Sequence, residues 1–162
     1  MPRTETLPET LIVRPLALGL TWEKKRLISI GLGWAEGREQ TKDLSMLAQE
    51  LRKNLAQYLN AEPMSWPALP LAWNRLAPFS RRVLSKLAKE VPPGQTISYG
   101  GLAALAGSPG AARAVGQIMA RNPWPLVIPC HRVIGTNGKL TGFGPGLAMK
   151  KYLLRLEGCP GF

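Results

Sequence analysis

The residues best suited to chemistry lie in one stretch, Asn122-Pro123-Trp124-Pro125-Leu126-Val127-Ile128-Pro129-Cys130-His131-Arg132-Val133-Ile134. Cys130 stands beside His131, the one histidine of the chain. A thiol next to an imidazole is the pairing that nucleophilic sulfur chemistry requires, because the thiolate attacks and a base must take its proton. The second cysteine, Cys159, reads as a small buried hydrophobe, the common fate of a free thiol. Two cysteines cannot build a disulfide framework, and three soft ligands fall short of a closed four-ligand zinc site, so no metal is expected. Cys130 follows Leu126-Val127-Ile128, which reads as a buried strand. It also lies in the basic half of the chain, where positive potential is expected to lower a thiol pKa. Adjacent side chains on a strand face opposite ways, so either the strand ends at Cys130 or a water carries the proton. A histidine base needs a third group to set its tautomer. Only Glu90 and Glu157 are acidic after residue 74. Glu157, just past a helix over 147–156, is the choice for the orienting carboxylate, although composition alone reads it as an exposed charge near the C-terminus.

The elements around this stretch must hold it in place. The chain has 162 residues, 45% of them apolar, which is enough for a buried core and excludes a wholly disordered chain. No apolar run reaches the roughly 18 residues of a membrane span. Behind Met1-Pro2-Arg3-Thr4-Glu5 there is no signal-peptide core, so a cytoplasmic protein of prokaryotic type is expected, or a nuclear one in a eukaryote. Lys and Arg number 21 against 10 Asp and Glu, a net charge of +11. The excess is concentrated. Residues 1–74 hold 9 basic and 8 acidic residues, whereas 75–162 hold 12 and 2. A lobe so charged favours a polyanion, with counterion release as the driving term. No basic amphipathic helix with a bulky apolar face argues for a membrane surface instead.

Leu11–Leu20 and Arg26–Trp34 read as a β-hairpin joined by residues 21–25. Lys42–Leu59 reads as an amphipathic helix, with Leu44, Leu47, Leu51, Leu55 and Leu59 in register. Residues 63–78, with four prolines, form a connection with a short strand near Leu71-Ala72-Trp73, and the lobe boundary falls near residue 75. Phe79–Glu90 is a helix stopped by Pro92-Pro93-Gly94. Thr96-Ile97-Ser98 is extended, and Ser98 caps a helix from Tyr99. After the turn Ser108-Pro109-Gly110 a further helix spans 111–121, completing a helix-turn-helix. Its Ala111, Ala112, Ala114 and Gly116 permit close approach to another surface, and Arg113 is poorly placed for a core. The expected fold is α+β: residues 1–74 form a structural lobe of sheet plus helix. Residues 75–162 form a mainly helical lobe with a winged-helix-like helix-turn-helix and an active-site strand.

Pro129-Cys130-His131-Arg132-Val133, preceded by Asn122-Pro123, resembles the active-site signature of the O6-alkylguanine-DNA alkyltransferases. The resemblance runs from Phe79 to Gly158. It takes in Ser98-Tyr99-Gly100, the helix start Ala111–Gly116 and the tail from Gly146-Leu147 to Glu157-Gly158. It implies that Cys130 accepts the alkyl group from guanine O6 in duplex DNA, after the base has been flipped from the stack. His131 would act as base through a water, oriented by Glu157, and Tyr99 would protonate N3 of the departing guanine. Asn122 would be a hinge beside the nucleophile. Arg113 would enter the duplex as a finger, with Ala112, Ala114, Gly116 and Arg121 at the minor groove. Met119, Pro125, Val133, Phe143 and Gly144 would line the pocket. The thioether product has no ready route back, so each molecule would react once, as a monomer and without a cofactor. Relatives often carry tyrosine, serine and glycine where this chain has Phe143, Gly144 and Pro145. These departures bear on affinity and alkyl size rather than on the reaction. Some relatives bind zinc in the first lobe, but no cysteine or histidine precedes residue 130 here. The alternatives are a non-repairing lesion sensor, whose known examples lack the cysteine, and a helix-turn-helix regulator with a structural thiol.

Overall fold

A computed structural model describes residues 7–162. The segment 1–5, on which the expectation of no leader rests, lies outside the described residues. The chain divides into two compact units, the first ending at Ala72 and the second running Trp73–Phe162. The architecture is α+β, and no helix among the described residues is long and apolar enough to cross a membrane.

In the first unit three strands, β1 (Leu7–Val13), β2 (Leu16–Glu23) and β3 (Arg26–Trp34), form an antiparallel sheet in the order β1-β2-β3. The single strand expected over 11–20 is therefore two. The chain reverses at Arg14-Pro15, because proline has no N–H for a continuing ladder. The next turn is tighter than expected, since pairing runs out to Glu23 opposite Arg26. It leaves only Lys24 and Lys25, both at positive φ (46° and 65°), as a two-residue hairpin of this twist demands. Helix α1 (Met46–Leu59) packs Ala48, Leu51, Leu55 and Tyr58 inward. It begins four residues later than its apolar spacing predicts because Ser45 caps it, accepting from the Ala48 amide at 3.3 Å. The buried Glu9 carboxylate accepts from Trp22 Nε1 (2.6 Å) and from the Ser45 hydroxyl (2.9 Å), fastening β1 to β2 and to the helix start. The short strand expected near residue 71 is one bridge, between Leu27 and Leu71.

The second unit carries the chemistry. Helix α2 (Pro78–Glu90) is followed by a two-residue strand β4 (Ile97–Ser98), then α3 (Tyr99–Leu105) and α4 (Ala112–Ala120). Ser98 caps α3 as predicted, its hydroxyl accepting from the Gly101 amide at 2.9 Å. Strand β5 (Val133–Ile134) pairs in parallel with β4, Ile97 opposite Val133 and Ser98 opposite Ile134. Helix α5 (Leu147–Leu156) closes the unit, with Met149, Leu153 and Leu154 buried. No strand forms over 126–128. The Ile128 amide bonds back to the Trp124 carbonyl at 2.9 Å, and Leu126 sits at a φ of 75°. Pro123, Pro125 and Pro129 remove the donors a ladder would need. The apolar side chains Leu126 and Ile128 are still buried, so the run marked burial and not extension.

Candidate active site

The parallel β4–β5 pair sets the geometry of the site. It lays Ser98-Tyr99 alongside the segment that carries Cys130, although 31 residues separate the two. Cys130, His131 and Arg132 form a single 3-10 turn running into β5, so the two neighbouring side chains are not on a strand. Asn122 holds the approach to this turn. Its amide nitrogen donates to the Ile128 carbonyl at 3.0 Å, and its carbonyl accepts from the Trp124 amide at 3.0 Å.

Behind the sulfur lies a buried polar chain. His131, fully buried, places Nε2 2.8 Å from Oε1 of Glu157. Arg132 grips the same carboxylate twice, Nε to Oε2 at 2.8 Å and Nη2 to Oε1 at 2.9 Å, and Nη1 donates to the Val91 carbonyl at 2.6 Å. Burial alone would raise the Glu157 carboxyl. The hydrogen bonds and charges of His131 and Arg132 outweigh it and hold the carboxyl at about 2. Glu157 is therefore ionised at neutral pH and can only accept, which puts the imidazole proton on Nε2 and the lone pair on Nδ1. Burial lowers the His131 pKa against the pull of Glu157, so the imidazole rests neutral, as a base must. Its Nδ1 is buried and hydrogen-bonds no protein group among the described residues.

The thiol itself differs from expectation. Cys130 is 5% exposed, and burial raises its pKa above 9.0 despite Asn122, the Lys150 charge and the amides of Cys130 and His131, all of which lower it. A positive potential from the lobe as a whole does not decide the matter; loss of hydration does. The sulfur therefore rests as a thiol and needs the base beside it. Lys150, 1% exposed, donates to the carbonyls of Val133 (2.7 Å) and Thr141 (2.9 Å). Burial brings its pKa down to about 8, with Cys130 pulling the other way.

Cys130 opens onto a cleft of about 340 Å³, lined by Tyr99, Gly116, Met119, Ala120, Thr141, Gly142, Phe143 and Gly144. This falls in the size range of small-ligand pockets, roughly 300–1,000 Å³. Of the expected pocket residues Met119, Phe143 and Gly144 are here. Val133 is not: it is fully buried, pairs with Ile97 and offers only its carbonyl, to Lys150. Pro125 is likewise absent from the lining, being half of the bridge with Ile128 that curls residues 124–128. On α4, Val115 and Met119 face inward while Arg113, Ala114, Gln117 and Arg121 are exposed, and Ala112 is half-buried. Arg113 sits beyond the reach of any acid among the described residues. Gly116 belongs to the cleft wall, where a Cβ would lie 3.9 Å from the Tyr99 ring.

Residues 78–159 match the family model described as 6-O-methylguanine DNA methyltransferase, DNA binding domain. A methylated-DNA--protein-cysteine methyltransferase of Methanosarcina acetivorans is 40% identical over 138 residues, which cover 83% of this chain and 80% of that one. The chain belongs to the 6-O-methylguanine DNA methyltransferase family. The human methylated-DNA--protein-cysteine methyltransferase is 55% identical over 80 residues, 49% of this chain and 39% of that protein. The fold agrees over nearly the whole chain. Mycobacterium tuberculosis O6-methylguanine methyltransferase superposes with a TM-score of 0.77 at 32% identity, covering 98% and 97% of the two chains. The structure of Mycobacterium tuberculosis OGT in complex with DNA gives a TM-score of 0.74, with 95% of each chain covered.

Three residues of this methyltransferase site escaped the sequence reading: Arg132, Lys150 and Thr141. Two left a trace. Arg132 sits among apolar neighbours in a unit where acids are scarce, so it had to be buried against one of them. Lys150 falls on the apolar stripe of α5 with Met149, Leu153 and Leu154, where a solvated lysine has no place. Thr141 left no trace beyond lying in the pocket loop.

Proposed function

We infer that this protein repairs DNA by moving the alkyl group of O6-alkylguanine onto Cys130, once per molecule. A buried thiol lining a cleft of about 340 Å³, backed by the buried His131–Glu157–Arg132 chain, is the observation that carries this reading. The damaged guanine leaves the stack and enters the cleft beside Tyr99. A water takes the Cys130 proton to His131 Nδ1, and the ionised Glu157 steadies the imidazolium. The sulfur attacks the alkyl carbon, the carbon–oxygen bond breaks, and its electron pair stays with O6. Tyr99 gives its proton to N3, so a neutral guanine departs. The imidazolium releases the Cys130 proton to solvent and the phenol takes one back, so no net proton is gained or lost, and the thioether remains. Neither metal nor cofactor enters these steps.

The substrate strand belongs to double-stranded DNA, engaged from the minor groove by α4 in a monomeric protein. The small side chains Ala112 and Ala114 let the helix backbone approach, Arg121 supplies positive charge at its end, and Arg113 is free to enter the space of the extruded base. The excess of cations after residue 74 supports this face, because Glu157 is spent internally on Arg132 and Glu90 pairs with Lys86 at 3.8 Å. The second unit would thus carry both DNA binding and transfer, the first a structural role. Incubation with duplex O6-methylguanine DNA, intact-mass analysis and peptide mapping test the reading. One methyl group per chain on the Cys130 peptide is expected, with none on Cys130→Ala, which should still bind DNA. Appreciable transfer by Cys130→Ala would overturn the assignment.

A further inference from the structure

The pocket loop carries a polar contact that the steps above leave unused. The Tyr99 phenol oxygen lies 3.1 Å from the Thr141 hydroxyl and 3.4 Å from the Thr141 carbonyl. The same carbonyl accepts from the Lys150 ammonium at 2.9 Å. These distances are unequal in a useful way. An O–H···O bond is ordinarily 2.5–3.0 Å, so the 3.1 Å hydroxyl contact falls just outside that range and the 3.4 Å carbonyl contact well outside it; the phenol proton is loosely held by an oxygen for which the ammonium competes. The Thr141 hydroxyl, by contrast, approaches the phenol oxygen as a donor. Lys150 also bonds the Val133 carbonyl at 2.7 Å, so one buried cation ties this loop to the strand that follows the nucleophile.

We propose that Thr141 is a positioning residue for proton delivery: its hydroxyl donates to the Tyr99 oxygen, while its carbonyl, claimed by Lys150, leaves the phenol proton free to turn toward the purine N3. A phenol that accepts one hydrogen bond is polarised into a stronger donor for the next. When guanine occupies the cleft, the weak 3.4 Å contact is exchanged for one to N3 and the Thr141–Tyr99 bond stays. No atom of Thr141 is consumed; the proton that reaches N3 is the phenol's, and solvent replaces it. The proposal rests on the reading of Tyr99 as the N3 donor.

The test is single-turnover methyl transfer by the full chain from two duplexes, one with O6-methylguanine and one with O6-methyl-3-deazaguanine, which has no N3 to protonate. Wild-type protein should be slower on the deaza duplex by at least about a hundredfold, the low end for loss of a general acid. Thr141→Val should slow the normal duplex by about fivefold, the worth of one ordinary hydrogen bond, and the deaza duplex by less than twofold. Thr141→Ser should restore the normal rate. The rate of Cys130 with iodoacetamide should be equal in all three proteins. An equal loss on both duplexes, or a loss of thiol reactivity, would mean that Thr141 merely shapes the loop, and the proposal would fall. No effect of Thr141→Val on either duplex would also sink it while leaving the Tyr99 reading intact. If wild-type protein handles both duplexes equally, Tyr99 is not the N3 donor and both readings fail, whereas methyl transfer to Cys130 still stands.

Discussion

Replacing Glu157 by glutamine perturbs the site at its most connected atom pair. The change is nearly isosteric and leaves Arg132, 6% exposed, with a neutral partner in place of a carboxylate. Two estimates of the cost converge. The displacement of the carboxyl from 4.5 to about 2 corresponds to about 3 kcal/mol of stability at neutral pH. Breaking a buried pair by removing one partner costs roughly 3–5 kcal/mol. The sign follows from the lowered folded value: the stabilisation is complete above about 4.5 and is lost as pH falls toward about 2. Urea denaturation followed by circular dichroism, at a series of pH values, measures it. Glu157→Gln should be less stable than wild type by about 3 kcal/mol at pH 7, and the gap should close between about pH 4.5 and 2 as the wild-type carboxyl takes up its proton. A cost below about 1 kcal/mol at pH 7, the level of an exposed ion pair, would refute the argument. So would a gap that does not change with pH.

Further outcomes follow from the same geometry. Because burial holds the Cys130 thiol above 9.0, its rate with iodoacetamide should climb about tenfold per pH unit from neutrality. The slope should ease above about 8, where Lys150 loses its charge. A plateau below pH 8, read by peptide mapping, would mean a thiolate already formed. Arg113→Ala should weaken repair of duplex DNA far more than reaction with free O6-methylguanine, and equal losses on both would remove its finger role. DNA binding measured by fluorescence anisotropy should fall steeply as salt rises, since phosphate neutralisation drives it. A flat response would count against the electrostatic account of the second unit.

Local chemistry was legible without coordinates. The Cys130-His131 pair, the Ser98 cap, the sheet-plus-helix first unit and the cationic bias after residue 74 are properties of residue type and short-range spacing, which local sterics and charge express directly. Other features depended on which segments meet. Three prolines turned an apolar run from a strand into a curl, because burial and extension share one hydrophobic signature and only the missing amide donors tell them apart. The two-residue β4–β5 pairing brought Tyr99 to Cys130, and strands that short have no periodicity to read. Glu157 stood out in the sequence only because acids are scarce after residue 74, and nothing in residue type assigned Arg132 or Lys150 a partner. Tertiary packing took away their water: it left Arg132 and Glu157 each other as partners and left Lys150 the carbonyls of Val133 and Thr141. The resting state of Cys130 was settled the same way: residue types supplied nearby positive charge, but the depth at which the fold placed the sulfur made desolvation the larger effect.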